Sequence, residues 1–252
     1  MSLTAQTPQP TLAWQFESSN VDSITGLAPN GGTFSPTAGQ VAPTYVTGIY
    51  RRAINFNNTL SPSGQTPNSY VTYDVSSFSL SSNSTTVSLW LNSGLTYPTT
   101  AGTAPFYVNL QGANYNGLVT LSATSTILFR KGGAPVTNFG SVTAQTGVWQ
   151  HHCMVFSNVG AVGTSNTFSS YYVNGSLIAT ANNTIQGFTT LNLGCQNSAS
   201  NGALCSIDDV RLFNTPLTAM QVQAVYRAQG MPSRTVFDNL SGIVKSYFTN
   251  KI

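Results

Sequence analysis

The side chains best suited to acid–base, nucleophilic or metal chemistry are few: Glu17, Asp22, Asp74, Asp208, Asp209 and Asp238, the histidines His151 and His152, and Cys153, Cys195 and Cys205. Glycoside hydrolysis needs two carboxyl groups facing one bond, about 5–9.5 Å apart. Glu17 is the sole glutamate, and Asp208 and Asp209 are neighbours that one strand would send to opposite faces, so they cannot make the pair between them. A serine hydrolase would need a Gly-x-Ser-x-Gly elbow, which does not occur, and neither histidine has a recognisable partner in the sequence. No Gly-x-Gly-x-x-Gly or Walker loop is present to cradle a phosphate. The cysteines are odd in number and lack metal-type spacing, which predicts reduced thiols and no zinc site. A Cys195–Cys205 bridge across a hairpin would require an oxidising compartment.

Charged residues make up only 6% of the chain and hydrophobic residues 40%. Disorder combines low hydrophobicity with high net charge, so this chain is expected to fold. Its net charge of +3 comes from scattered basic residues, adjacent only at Arg51-Arg52 and Arg130-Lys131. No electropositive stripe for nucleic acid results. No apolar run is long enough to span a bilayer, and Met1–Pro10 does not read as a signal peptide. The chain is therefore expected to be made in the cytosol, with incorporation into a virion or extracellular particle as a further destination.

Short runs rich in Val, Ile, Tyr, Phe and Thr, separated by Gly, Pro, Asn and Ser, predict an all-β domain. Strands are expected at Leu12–Glu17, Ala53–Phe56, Tyr70–Val75, Thr86–Asn92, Phe106–Leu110, Gly117–Ser122, Thr126–Arg130, Trp149–Ser157, Ser169–Val173, Ser176–Ala181, Thr189–Leu193 and Ala203–Phe213. Asn174-Gly175 supplies the positive φ angles of a type I′ hairpin. Period-two alternation puts Trp149, His151, Cys153 and Val155 on one face and His152, Met154 and Phe156 on the other, so both faces are largely apolar. His151 reads as a core or interface histidine. Thr218 and Gln221 form a capping box for a helix that Gly230 and Pro232 stop. The stretches Asn57–Ser69, Ser93–Pro105 and Gly160–Thr167 read as loops. Beyond Pro232, Val236, Phe237, Leu240, Ile243, Val244, Tyr247 and Phe248 recur at three- and four-residue steps, as in an amphipathic helix that either folds back or docks another chain. The expected organisation is an N-terminal arm over 1–11, one domain over 12–230 and the tail over 231–252.

The order of motifs resembles the laminin-G-like members of the concanavalin A-like lectin/glucanase jelly-roll superfamily. The resemblance is carried by Leu12-Ala-Trp14-Gln-Phe16-Glu17, Gly48-Ile-Tyr-Arg-Arg-Ala-Ile-Asn-Phe56, Thr86-Val-Ser-Leu-Trp90-Leu91, Trp149-Gln-His151-His152 and, most specifically, Ile207-Asp-Asp-Val-Arg-Leu-Phe213 with the helix to Tyr226. It covers about residues 12–229 and implies a two-sheet antiparallel sandwich. The glucanases' Glu-x-Asp-x-x-Glu strand is missing, so a non-catalytic member is expected, with a glycoside hydrolase the weaker reading.

The resemblance also brings Glu17, Asp22, Asp208 and Asp209 to positions where a structural Ca²⁺ could join the chain ends; the same acids could equally cap turns or pair with arginines such as Arg211. Glycan binding would use tyrosines such as Tyr97, Tyr107 and Tyr115 as flat faces, with Asn and Gln for hydroxyls. The function expected is a binding or interaction module for a glycan or protein partner. The alternative is a structural subunit of a virus particle or other assembly, a homo-oligomer joined through the tail.

Overall fold

The computed structural model describes residues 7–17, 19, 21–29, 41–49, 51–58, 69–78, 80, 84–94, 105–112, 115–121, 126–131, 137–158, 167–182, 187–196 and 201–229. Among them lie fourteen strands and one α-helix. The strands are β1 (Leu12–Trp14), β2 (Thr44–Thr47), β3 (Arg52–Phe56), β4 (Val71–Asp74), β5 (Ser84–Ser93), β6 (Phe106–Gly112), β7 (Tyr115–Leu121), β8 (Thr126–Lys131), β9 (Thr137–Thr143), β10 (Trp149–Asn158), β11 (Thr167–Val173), β12 (Ser176–Asn182), β13 (Phe188–Leu193) and β14 (Cys205–Phe213); α1 is Ala219–Gln229.

They form two antiparallel sheets. The larger, with eight strands, runs β12-β11-β10-β5-β14-β3-β2, with β1 beside β14. The smaller, with six, runs β4-β13-β6-β7-β8-β9. Alternation along the strands fills the space between them: Val87, Leu89 and Leu91 of β5 and Met154 and Phe156 of β10 meet Leu110 of β6, Leu118 of β7, Phe129 of β8 and Leu191 and Leu193 of β13.

The opposite face of the larger sheet is also dry because α1 covers it. Cys153, Val155, Tyr172 and Phe213 pack there against Leu217, Val222 and Val225, which explains why the β10 sequence is apolar on both faces. The helix begins as its capping box predicts: Gln221 N donates to Thr218 Oγ1 at 3.3 Å and Thr218 N to Gln221 Oε1 at 2.9 Å. At the β11–β12 turn Asn174 and Gly175 have φ of 50° and 75°, the signature of a type I′ turn.

Two strands escape the sequence pattern, β2 and β9, and both are sheet edges. A bulge also interrupts β14, where Asp208 faces Trp90 but Arg211 faces Ser88. Asp209, with φ of 44°, occupies the extra position. The bulge lets β14 hold two short strands end to end: Cys205–Ile207 pair with β3 and Val210–Leu212 with β1. Strict alternation of Asp208 and Asp209, expected from a regular strand, is thereby lost.

Candidate functional site

The acids named from the sequence do not assemble into an ion site. Asp22 is buried and ties its own turn to β1, its Oδ1 accepting from Ala13 N at 2.5 Å and its Oδ2 from Thr25 N at 2.5 Å and Thr25 Oγ1 at 2.6 Å. Asp208 Oδ2 accepts from Ile49 N at 2.9 Å and its Oδ1 from Asp209 N at 2.7 Å. Asp209 takes the Arg211 guanidinium in a two-pronged bond, Nε and Nη2 each at 2.8 Å. Glu17 is half-buried. Among the described residues no three His, Cys, Asp or Glu side chains are grouped to hold a metal. The turn-capping and arginine-pairing reading of these acids replaces the calcium one. A structural ion at a hundred times its Kd would add about 2.7 kcal/mol; instead, adding Ca²⁺ or EDTA is expected to move Tm by less than about 1 °C, checked by differential scanning fluorimetry.

The histidines have partners that the sequence does not reveal. His151 Nε2 lies 2.8 Å from Ser88 Oγ, and its ring sits between Trp90 and Tyr226 at centroid distances of 5.4 and 5.5 Å. This is a Ser–His contact, but both residues are fully buried beneath α1, so no substrate can reach the hydroxyl. His152 Nδ1 lies 2.7 Å from Tyr171 OH inside the core. The cysteines are free and buried, with burial pushing all three thiols up from their usual range. They are poor nucleophiles.

Of the tyrosines proposed for sugar rings, Tyr107 is a core residue, 0% exposed, its hydroxyl 2.8 Å from Ser93 Oγ. It offers no face to a ligand. Tyr115 is in β7 opposite Gln111 of β6. Tyr97 lies outside the described residues, as do the tail residues Val236 to Phe248 and most of the stretches read as loops.

What the structure does assemble is a carboxamide cluster on the outer face of the six-stranded sheet. Leu110 and Leu191 point to the core, so Asn109 and Asn192, next to them on β6 and β13, point away from it, and the register sets them side by side. The same row continues through Thr72 of β4 on one side and Gly117, then Arg130, on the other. The next row holds Asp74, Thr190 and Gln111. The segment after β13 curls over these rows and lowers the Gln196 carbonyl onto them.

Main-chain groups orient the Asn109 and Asn192 amides, and these two in turn orient that of Gln111. Asn116 N donates to Asn109 Oδ1 at 3.0 Å, which fixes Asn109 Nδ2 as the group that meets the Gln196 carbonyl at 2.5 Å and Gln111 Oε1 at 3.5 Å. Asn192 Nδ2 meets the same two acceptors, each at 3.1 Å, while its Oδ1 accepts from Thr72 Oγ1 at 2.9 Å. Gln111 Oε1 is thus occupied from below, and its Nε2 is turned outward. Gln196 Oε1 accepts from Asn201 Nδ2, which presents the Gln196 Nε2 likewise. Asn109 and Asn192 are buried, whereas Gln111, Gln196, Asn201 and Thr72 are half-exposed. The buried Asn109 and Asn192 therefore hold the Gln111 amide, and the half-exposed Asn201 holds that of Gln196, each with its Nε2 as donor. Asp74, exposed at the edge, has its carboxyl held below the usual range by hydrogen bonds from Ser76.

Sequence reasoning missed Asn109, Gln111, Asn192 and Gln196 as individuals. The available signal was Tyr107-Val-Asn-Leu-Gln111 and Leu191-Asn-Leu193, where amides take alternate positions in otherwise apolar strands.

Comparison with known proteins agrees with this architecture. Residues 64–223 match a family of the concanavalin A-like lectin/glucanases superfamily, and the chain belongs to that superfamily. Among solved structures it resembles domain 4 of AbnA, an extracellular GH43 arabinanase from Geobacillus stearothermophilus solved with arabinotriose, at 20% identity and a TM-score of 0.63, covering 88% of this chain and all of that one. It also resembles the receptor binding domain of botulinum neurotoxin type G, at 13% identity, a TM-score of 0.60, and coverage of 88% of this chain and 52% of that one. A third is a Trypanosoma rangeli sialidase solved as a covalent intermediate with a difluorosialic acid, at 17% identity, a TM-score of 0.63, and coverage of 90% of this chain but 35% of the sialidase. The chain thus spans about half of the toxin domain and a third of the sialidase. No curated protein matches it. No helix among the described residues is long and apolar enough to cross a membrane.

Proposed function

We propose that this protein is a non-catalytic saccharide-binding module whose ligand lies on the outer face of the six-stranded sheet. The observation that carries the reading is the pair of outward Nε2 groups of Gln111 and Gln196, locked by Asn109, Asn192 and Asn201. Preorganised amide donors beside hydroxyl and further amide groups suit a ligand rich in hydroxyl oxygens, because the donors need no reordering on binding. The solved arabinanase domain with arabinotriose, which has this fold, supports the same ligand class.

Absence of catalysis is part of the proposal. Hydrolysis would need two carboxyl groups across the scissile bond. Asp22, Asp208 and Asp209 are engaged in internal bonds, and the acid in register with the amide cluster is Asp74, which its Ser76 bonds keep ionised and unsuited to giving up a proton.

Gln111→Glu tests the reading. The variant keeps an oxygen for the Asn109 and Asn192 donors but replaces the outward NH₂ by an acceptor. Binding to glycans on an array and in calorimetry is expected to weaken by at least about tenfold, or about 1.4 kcal/mol, with Tm within about 2 °C of the parent. A variant that binds as the parent does would remove Gln111 from the site.

A further inference from the structure

In the row that carries the amide cluster, Arg130 stands out. It is half-exposed, and its Nε is buried without a hydrogen-bond partner. No ion pair or ring contact engages it among the described residues, where Arg211 is spent on Asp209 and Arg52 lies over the Tyr45 ring. The terminal nitrogens are the part of the guanidinium left at the surface. Partly desolvating a cation without a counter-charge is costly, and this happens in a chain with only 6 acidic residues to 9 basic ones. On the same face, Gly117 lies between Arg130 and Asn109 in register. A Cβ at Gly117 would run into the Val108 carbonyl, so the close approach of β6 and β7 demands glycine there. Gly117, itself buried, thus puts only main chain between Asn109 and Arg130, which stand two strand spacings, about 10 Å, apart in this row.

We infer that Arg130 is a specificity-determining residue that receives the carboxylate of an acidic saccharide whose neutral portion lies on the amide cluster. The inference rests on the saccharide-binding reading and adds the charge of the ligand to it. A guanidinium matches a planar carboxylate with two parallel N–H bonds, here from its terminal nitrogens. Asp74 lies at the far side of the cluster, on β4, and would repel an acidic ligand placed the other way round, which fixes its direction across the strands.

The test compares an oligogalacturonide with its methyl ester, and sialyllactose with lactose, by calorimetry on the full chain. The parent is expected to bind at least one acid at least tenfold more tightly than its uncharged counterpart, and added NaCl should erode that preference. Arg130→Gln should abolish the preference while leaving binding of the neutral compound within twofold, and Arg130→Lys should keep only part of it. Equal binding of acid and neutral compound by the parent, or a preference that survives in Arg130→Gln, would overturn the inference and leave the saccharide reading standing. Failure of the parent to bind any glycan, on these pairs and on the array, would overturn both. Circular dichroism melting of each variant separates loss of recognition from loss of fold.

Discussion

Replacing Asn58 by alanine is expected to destabilise the protein by about 3 kcal/mol, lowering Tm by roughly 6–12 °C for a domain of this size. Asn58 is 3% exposed, and its carboxamide ties three chain segments together. Its Nδ2 lies 2.8 Å from the Ser69 carbonyl, 3.0 Å from that of Gly194 and 2.8 Å from that of Ala203, while Oδ1 accepts from Ser69 N at 2.8 Å. Alanine would take this partner from the Ser69 N–H and the Ser69 and Ala203 carbonyls, while the Gly194 carbonyl keeps its bond from Ala203 N, and the cost of an unsatisfied buried group exceeds the net gain of a bond made. Asn58→Asp should be worse at neutral pH, since a carboxylate would face three carbonyl oxygens. The same amide anchors both ends of the 194–203 segment that supplies Gln196 and Asn201, so Asn58→Ala should weaken ligand binding as well. Urea unfolding of the variants measures the effect. A loss below about 1 kcal/mol would show that the three segments hold together without Asn58.

The second large effect is a loss of stability on mild acidification, caused by His152. Burial, reinforced by the neighbouring His151, pushes the His152 pKa down from its usual 6.5 to about 3. The ring is therefore neutral in the folded protein. Burial also raises the Tyr171 phenol well beyond its ordinary value, so Tyr171 keeps its proton, and its hydroxyl is hydrogen-bonded to the neutral ring at His152 Nδ1. In the unfolded chain the same imidazole takes up a proton near pH 6.5. Between pH 6.5 and 3 the unfolded state binds more protons, so stability is full above this window and falls as pH drops through it. The slope from this one group is about 1.4 kcal/mol per pH unit, or roughly 2–3 kcal/mol between pH 7 and 4.5. His152→Gln should be less stable than the parent at pH 7, yet lose distinctly less on acidification. Urea midpoints of both proteins at the two pH values decide this; parallel declines would mean that other groups carry the acid sensitivity.

These effects differ in how far the sequence announces them. Strands that bury a face repeat apolar residues at period two, so β5, β10 and β14 can be read directly, and β10, apolar on both faces, even implies the covering that α1 provides. The edges β2 and β9 could not be read in this way. Thr44–Thr47 is mostly exposed, and Thr137–Thr143 carries Gly140 in its middle, at a φ of 62°. Their membership comes from pairing with β3 and β8, a tertiary contribution that local pattern does not carry. The bulge at Asp208-Asp209 is similar: its cause is the need of β14 to serve β1 and β3 on one edge, which lies 150 or more residues away in the chain.

The proposed site could be approached from the sequence through residue types but not through place. Scarcity of acids pointed away from hydrolysis, and abundant Asn and Gln pointed to hydroxyl recognition. The tyrosine Tyr107 was misassigned because an aromatic residue at a strand start looks the same whether it turns inward or outward until the register with β7 and β13 is known; its hydroxyl found Ser93 across the sandwich. Conversely, Asn109 and Asn192, far apart in sequence, become one cluster only when β6 and β13 pair. Arg130 gains its meaning from Gly117 beside it, which no linear spacing displays.

The central claim is that the outer face of the six-stranded sheet receives the ligand. The most direct measurement is two-dimensional NMR of ¹⁵N-labelled protein, following side-chain amide resonances during titration with the oligosaccharide that binds most tightly on an array of neutral and acidic glycans. The account predicts that the Nε2 groups of Gln111 and Gln196 shift first and furthest, with changes confined to Thr72, Asn109, Asn192 and Arg130 around them. Shifts centred on α1 or on the eight-stranded sheet, or no glycan bound at all, would contradict it.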